Sequence, residues 1–331
     1  MRFAVVGAGA TGGLLGASLA RAGEQVTLIA RGEHLRAMRA RGLRVVGAAG
    51  SFTVHPDCTD DLEAVRMADV ALLTVKAHSL PLLAPQLGQV LRPGTWVVSA
   101  QNGIPWWFFH AWGGELEGVV LETVDPGGGI AASLAAAQVA GSVVYPAARI
   151  PEPGVVEHHQ GRRISLGAPR GGQPEGLREV AAALVRAGFR TPLVARLRPE
   201  IWLKLLGNAT LNPISALTGA TLGEITGDPG GAALVRGMME EAELVGRRLG
   251  LEIPVSIDRR IRGAAAVGDH KTSMLQDVEA GRPLEIGATL GALVELADRL
   301  GLGATRLRAL LACARLLDTT GRRRQEAASG S

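Results

Sequence analysis

One short stretch near the start restricts the fold more than any other part of the chain. Arg2, Phe3, Ala4, Val5 and Val6 form a mainly apolar run that opens into Gly7-Ala8-Gly9-Ala10-Thr11-Gly12, after which Leu14, Leu15 and Leu19 recur at helical spacing until Gly23. This reads as strand, glycine turn and helix. Glycines at such a turn let the backbone approach a pyrophosphate, whose charge faces the free N–H groups of the helix start. In that context Gly7-x-Gly9-x-x-Gly12 points to dinucleotide binding.

The alternation continues. Gln25 to Ala30 reads as the next strand, Asp69 to Val75 as a buried one and Thr95 to Ser99 as another, with a helix over 80–91. Strands alternating with helices predict a parallel, doubly wound sheet. The second strand ends Ile29-Ala30-Arg31-Gly32, with arginine where a site specific for NAD would carry a carboxylate for the ribose hydroxyl. Arg31 suits a 2′-phosphate and therefore NADPH, while Glu33 leaves NADH open. Lys76 and Asn102 follow the third and fourth of these strands, at the carboxyl ends where a cofactor crevice opens. A turn or helix cap is the alternative for both.

Residues 141–167 change to short Val and Ile runs with turn residues, which reads as antiparallel strands or a hairpin at the sheet edge. A helix at 177–187 and a strand at 192–195 follow. Beyond about residue 196 the pattern is helical: 199–217, 231–249, 255–267, 273–279, 284–300 and 304–317. The expected domains are 1–195 and an all-α 196–320, with 321–331 as a flexible tail.

Composition removes several alternatives. With 331 residues, 47% hydrophobic and 20% charged, the chain has ample material for packed cores and is not disordered by default. The basic residues are dispersed among acidic ones, without the interleaved aromatics of a nucleic-acid groove. Cys58 and Cys313 stand far apart, no metal-ligand spacing occurs, and a reducing cytoplasm fits best. Two segments imitate membrane signals, the apolar start to Ala20 and the uncharged residues 126–148. The glycines of the first, and the Pro, Gln and Ser of the second, argue against a signal peptide and a span. The seven histidines are read as lying in loop-like contexts without a role.

Only three of the 35 basic residues are lysines, Lys76, Lys204 and Lys271, and the only asparagines are Asn102, Asn208 and Asn212. Lysine is informative where arginine is the default cation, because a desolvated ammonium can release its proton near neutral pH. Lys204, Asn208 and Asn212 stand at i, i+4 and i+8 and form one polar stripe on a segment of Ile, Leu and Trp. Such a stripe on a packing helix needs a polar ligand or an inter-helix hydrogen-bond network. Pro213 is expected to break or kink the helix after Asn212, and Ser273 reads as the N-cap of a later helix. Glu285, three residues after Arg282, has a surface ion pair as its plain alternative.

Taken together these residues resemble the ketopantoate reductase family over nearly the whole chain. The matching pieces are Gly7 to Gly12, Arg31, Thr74-Val75-Lys76-Ala77, Asn102-Gly103, the segment from Glu200 through Asn212-Pro213, Ser273 to Asp277, and Glu285-Ile286. The resemblance implies an N-terminal Rossmann domain and a C-terminal helical domain, with NADPH and a 2-keto acid bound between them. It implies that Lys204 is the proton donor and that Asn208, Asn212 and Ser273 bind substrate. Lys76, Asn102, Ala148 and Glu285 would line the nicotinamide and its ribose, and Asn102 would also reach the substrate.

This sequence departs from the family pattern at Leu222, where asparagine is expected, at Gly287 in place of aspartate, and in an apparent insertion over 121–141. Trp106, Trp107, Phe108, Phe109 and Trp112 follow Asn102 closely; they suit core or dimer packing, or a lid over a bulkier substrate. The expected activity is NADPH-dependent reduction of a 2-keto acid, 2-dehydropantoate to pantoate being the leading case. A related reductase for another keto or imino acid and a non-catalytic NADPH sensor are the rivals. A cytoplasmic enzyme is expected, with homodimerisation left open.

Overall fold

The computed structural model describes residues 1–48, 50–134 and 139–329, arranged as two compact units. The first comprises Met1–Gln101, Pro105–Val120 and Asp125–Leu197; the second comprises Asn102–Ile104, Leu121–Val124 and Arg198–Ser331. Two short stretches of the first half of the sequence thus belong to the helical unit.

In the first unit the elements run β1 (Arg2–Val6), α1 (Ala10–Arg21), β2 (Gln25–Ile29), α2 (Gly32–Arg41), β3 (Leu43–Gly47), β4 (Gly50–Val54), β5 (Asp57–Thr59), β6 (Val70–Leu73), α3 (Leu80–Val90), β7 (Trp96–Ser99), α4 (Gly129–Ser133), β8 (Val139–Val144), β9 (Ala147–Arg149), β10 (Val155–Gln160), β11 (Ile164–Gly167) and α5 (Glu175–Arg186). Seven strands form the main sheet in the order β11-β8-β7-β6-β1-β2-β5. All neighbours are parallel except β11, which runs antiparallel to β8 at one edge. The order reverses at β1, so a crevice opens between the carboxyl ends of β1 and β6. The doubly wound sheet expected from the alternation is present.

Its interior is aliphatic. Val5, Leu14, Leu19, Leu28, Val70 and Leu72 are each 3% exposed or less. Glycines bring α1 down onto the strands: a Cβ at Gly16 would stand 2.4 Å from Leu28 Cδ2, and one at Gly12 2.4 Å from the Gly7 carbonyl oxygen.

A second sheet, in the order β4-β3-β10-β9, was not anticipated. The antiparallel texture of 141–167 is divided, β8 and β11 joining the main sheet while β9 and β10 join β3 and β4. The strand expected at 192–195 is reduced to an isolated bridge between Leu166 and Leu193. The uncharged 126–148 stretch folds as a 3₁₀ turn, α4 and β8, with 135–138 outside the described residues. No helix among the described residues is long and apolar enough to cross a membrane.

The second unit contains α6 (Arg198–Thr218), α7 (Leu222–Gly227), α8 (Pro229–Arg248), α9 (Ile257–Val267), α10 (Ser273–Glu279), α11 (Ala292–Arg299) and α12 (Thr305–Ser329). Helix α6 is its spine, burying Trp202, Leu205, Leu206 and Ala209, and α8, α10 and α12 pack on it. Pro213 does not end this helix, which runs on to Thr218. Buried on both sides of the proline, by Ala209, Thr210 and Ile214 among others, the helix keeps its packing although one backbone N–H is lost.

The cap of α10 is Thr272, whose hydroxyl accepts the Leu275 N–H, and Ser273 is the first helical residue instead. The helix expected over 284–300 begins as a π-turn at Gly287–Gly291 before α11. Residues 321–329 continue α12 rather than forming a tail, with Arg322 paired to Asp318 and the Gln325 amide donating to the Gly281 carbonyl; 330–331 lie outside the described residues.

Candidate active site

The first unit places its glycine turn at the β1–β6 crevice. Gly7 has φ +98°, and a Cβ there would lie 2.6 Å from Val75 Cγ1, so only glycine fits against the segment that follows β6. Thr74 secures the turn, its hydroxyl donating to the Gly7 carbonyl at 2.9 Å. Gly9 caps α1, and a Cβ on it would meet nothing nearer than 3.9 Å, so it fronts open space where a phosphate could approach the helix N-terminus. The cleft in front measures about 880 Å³ and is lined by Gly7, Ala8, Gly9, Arg31 and Lys76 among others. These residues fit a dinucleotide, with the glycine turn toward the pyrophosphate and Arg31 at the N-cap of α2.

Ala10, Thr11 and Gly12 form the first turn of α1 behind this loop. Glu33, which left NADH open, pairs instead with Arg36 at 3.7 Å on the exposed face of α2. Ala148 lies on β9, two residues before Ile150, which reaches the cleft wall.

The reading of all histidines as loop residues is corrected at His158 and His159, which lie on β10, and at His34. His34 sits on α2 three residues after Arg31 and lines the same cleft. Its Nδ1 accepts the Gly154 N–H at 3.0 Å, and burial pushes its pKa below the usual histidine value. The ring is therefore neutral near pH 7, with its proton on Nε2. The signal available in the sequence was the helical offset from Arg31.

The second unit assembles the other polar candidates. Lys204 Nζ donates to Asn102 Oδ1 at 2.8 Å, and Asn102 Nδ2 donates to Glu285 Oε2 at 3.4 Å. Three residues separated by up to 183 positions become one hydrogen-bonded chain. Burial pushes the Lys204 pKa down from 10.5 to about 8, with the Glu285 carboxylate acting in the opposite direction. Arg282 pairs with Asp277 at 2.9 Å, so it is not the ion-pair partner that sequence proximity offered for Glu285.

Asn208 and Asn212 lie on the Lys204 face of α6, partly exposed, while their neighbours Ala209, Thr210 and Leu211 are buried. Among the described residues neither asparagine side chain, nor that of Ser273, has a protein hydrogen-bond partner. The stripe is thus not closed into an inter-helix network. Ser273 is exposed at the start of α10, which packs on α6.

Backbone fit holds this arrangement. Gly103 has φ +91°, and a Cβ there would stand 2.2 Å from the Ala288 carbonyl oxygen. The Ile104 N–H donates to that oxygen at 2.7 Å, tying the Asn102 segment to the π-turn that follows Glu285. Glu295 binds the other strap, accepting the Thr123 N–H at 2.9 Å, its hydroxyl at 2.8 Å and the Glu122 N–H at 3.0 Å. Neither contact was visible in the sequence, because each pairs residues more than 170 positions apart.

The aromatic cluster is core rather than lid. Trp107, Phe108 and Phe109 are 3% exposed or less, Trp107 Nε1–H donates to Ser99 Oγ at 2.8 Å, and Trp112 packs 5.4 and 5.0 Å from the two phenylalanine rings.

A doubly wound sheet with a glycine-turn cleft in one unit, and in the other a helix carrying a lysine whose pKa is lowered by burial, are the features of an oxidoreductase of the Rossmann type. Residues 3–171 match the family described as ketopantoate reductase PanE/ApbA, and residues 196–318 match its C-terminal counterpart. The chain belongs to the ketopantoate reductase family.

A 2-dehydropantoate 2-reductase from Mesorhizobium japonicum is 45% identical, covering 96% of this chain and 98% of that protein. The crystal structure of a PanE/ApbA family ketopantoate reductase from Ralstonia eutropha superposes with a TM-score of 0.84 at 30% identity, covering 97% of this chain and all of that one. D-mandelate dehydrogenase, solved with NADH and anilino(oxo)acetate, shares the fold with a TM-score of 0.83 at 19% identity, over 97% of this chain and all of that one.

Proposed function

We propose that this enzyme uses NADPH to reduce a 2-keto acid to the 2-hydroxy acid, with 2-dehydropantoate as substrate and pantoate as product, a step toward pantothenate and coenzyme A. The observation that carries this reading is the Lys204–Asn102–Glu285 chain beside two unpartnered asparagine amides on α6. The reduced nicotinamide, when bound, supplies hydride to the carbonyl carbon. Charge then develops on the keto oxygen, and Lys204 has the proton to neutralise it.

With a pKa near 8 the ammonium is protonated at neutral pH, yet gives up its proton more readily than an ordinary lysine. Asn102 holds the ammonium by its carbonyl oxygen and, through its amide N–H, the Glu285 carboxylate. The Glu285 carboxylate favours the charged lysine. Asn208, Asn212 and Ser273 offer uncharged donors and acceptors to the carboxylate and hydroxyl groups of the substrate. Arg31 selects NADPH through the 2′-phosphate, and Lys76 and Ala148 serve the cofactor side.

The test is NADPH oxidation with 2-dehydropantoate and a panel of bulkier 2-keto and imino acids. The expected kcat/KM for 2-dehydropantoate is about 10⁴ M⁻¹s⁻¹ or higher, falling by about 10²–10⁴ in Lys204→Ala. Silence on 2-dehydropantoate with turnover of a bulkier acid would transfer the assignment to that substrate. Tight NADPH binding with no turnover across the panel would favour a sensor.

A further inference from the structure

The first unit contains another cavity, which shares no residue with the nucleotide cleft. It measures about 320 Å³ and lies among the C-terminal half of α1, the β3–β4 hairpin and the end of α5. That volume is at the small end of the range for ligand sites, which combine apolar walls with a few placed polar groups. Leu14, Val45 and Phe189 supply a floor that is 3–6% exposed, and Phe52 adds a partly buried ring.

Three arginines line the opening. The Arg21 guanidinium lies 4.4 Å from the centroid of the Phe52 ring. Arg186 pairs with Glu24, but that carboxylate is also held at 2.6 Å by the N-terminal ammonium, and its side chain is only 6% exposed. One carboxylate thus serves two cations. Arg21 and Arg162 have no ion-pair partner among the described residues. His158 also lines the cavity, with Nε2 bonded to the Gly161 carbonyl at 2.7 Å.

The helix ends do not need these cations to satisfy their carbonyls. The N–H groups of Ala22, Gly23 and Glu24 already bond the last turn of α1, and those of Ala187, Gly188 and Phe189 bond the last turn of α5. Positive charge therefore outweighs negative around an apolar recess, and Phe52 and Glu24 hold two of the guanidiniums in place. A ligand with an apolar body and one anionic end would pair with these guanidiniums while covering the floor.

We propose that this cavity binds a small amphipathic anion, a flat aromatic or short alkyl body carrying a phosphate or carboxylate. The apolar part would rest on Phe52 and Phe189, and Arg21 and Arg162 would take the anionic end, with Arg186 beside them.

Calorimetric titration of the full chain with 1-naphthyl phosphate, in saturating NADPH so that the nucleotide cleft is filled, tests the assignment. The ester should bind, with 1-naphthol and inorganic phosphate each at least about tenfold weaker, because each lacks one half of the recognition. Arg162→Ala and Arg21→Ala should each weaken the ester about tenfold or more, and Arg162→Glu should abolish binding. Arg162 is exposed, so an unchanged melting temperature will show that its variants are folded.

Unchanged affinity in these variants would overturn the proposal, as would equal binding of 1-naphthol or of inorganic phosphate. Binding of the ester only when NADPH is omitted would also overturn it, by placing the probe in the nucleotide cleft.

Discussion

Lys204 carries opposed demands. Burial lowers its pKa to about 8, which suits proton donation and costs stability. The folded value lies below the ordinary 10.5, so between pH 8 and 10.5 the folded state holds fewer protons than the unfolded one. Stability contributed at this site therefore rises with pH through that window, and the penalty is fully present below pH 8. Lys204→Met should lower kcat/KM by about 10²–10⁴, as Lys204→Ala does, and stabilise the protein at pH 7 by on the order of 1 kcal/mol, read from urea unfolding.

In the rate, the sign reverses. With the acid form of Lys204 as the proposed donor, kcat/KM should decline as pH rises through about 8. Asn102→Asp would put a carboxylate where the amide oxygen now stands 2.8 Å from the ammonium. A direct negative charge favours the protonated lysine, so this alkaline limb should move up by about one pH unit. A limb that stayed in place would separate Lys204 from the titration.

At the scale of elements, the site depends on how backbones meet. Gly103→Ala would force a Cβ to within 2.2 Å of the Ala288 carbonyl oxygen at a φ of +91°. The variant should lose about 2–4 kcal/mol of stability and most of its kcat, because the displaced segment carries Asn102. Denaturant unfolding and steady-state kinetics on one preparation would check both. Helix α6 explains why its stripe could be recognised beforehand: 3.6 residues per turn is local geometry, so Lys204, Asn208 and Asn212 had to share a face. The continuation of that helix through Pro213 was not legible, because packing rather than propensity holds it.

For the whole molecule, the division of the chain is the informative feature. Asn102–Ile104 and Leu121–Val124 fold with the helical unit although they precede it by more than 70 residues. A fragment beginning at Arg198 would lack them, leaving Glu295 without the groups of Glu122 and Thr123 and Lys204 without Asn102. Such a fragment should unfold with a broadened transition and a lower midpoint than the same unit in the full chain, by thermal circular dichroism. Adding a peptide of residues 102–124 should not restore a sharp transition, since it must overcome association entropy that the intact chain avoids.

Local periodicity and backbone sterics account for the glycine turn, the order of strands and helices that makes a doubly wound sheet, and the polar face of α6. Those features depend on neighbours within a few residues, so they are written in spacing. Long-range packing is what puts Asn102 between Lys204 and Glu285, His34 in the wall of the cleft, the aromatic cluster in the core, and β3, β4, β9 and β10 in a sheet of their own. Each of these rests on contacts between residues distant in the chain, where burial and hydrogen-bond geometry, rather than residue type, set the outcome.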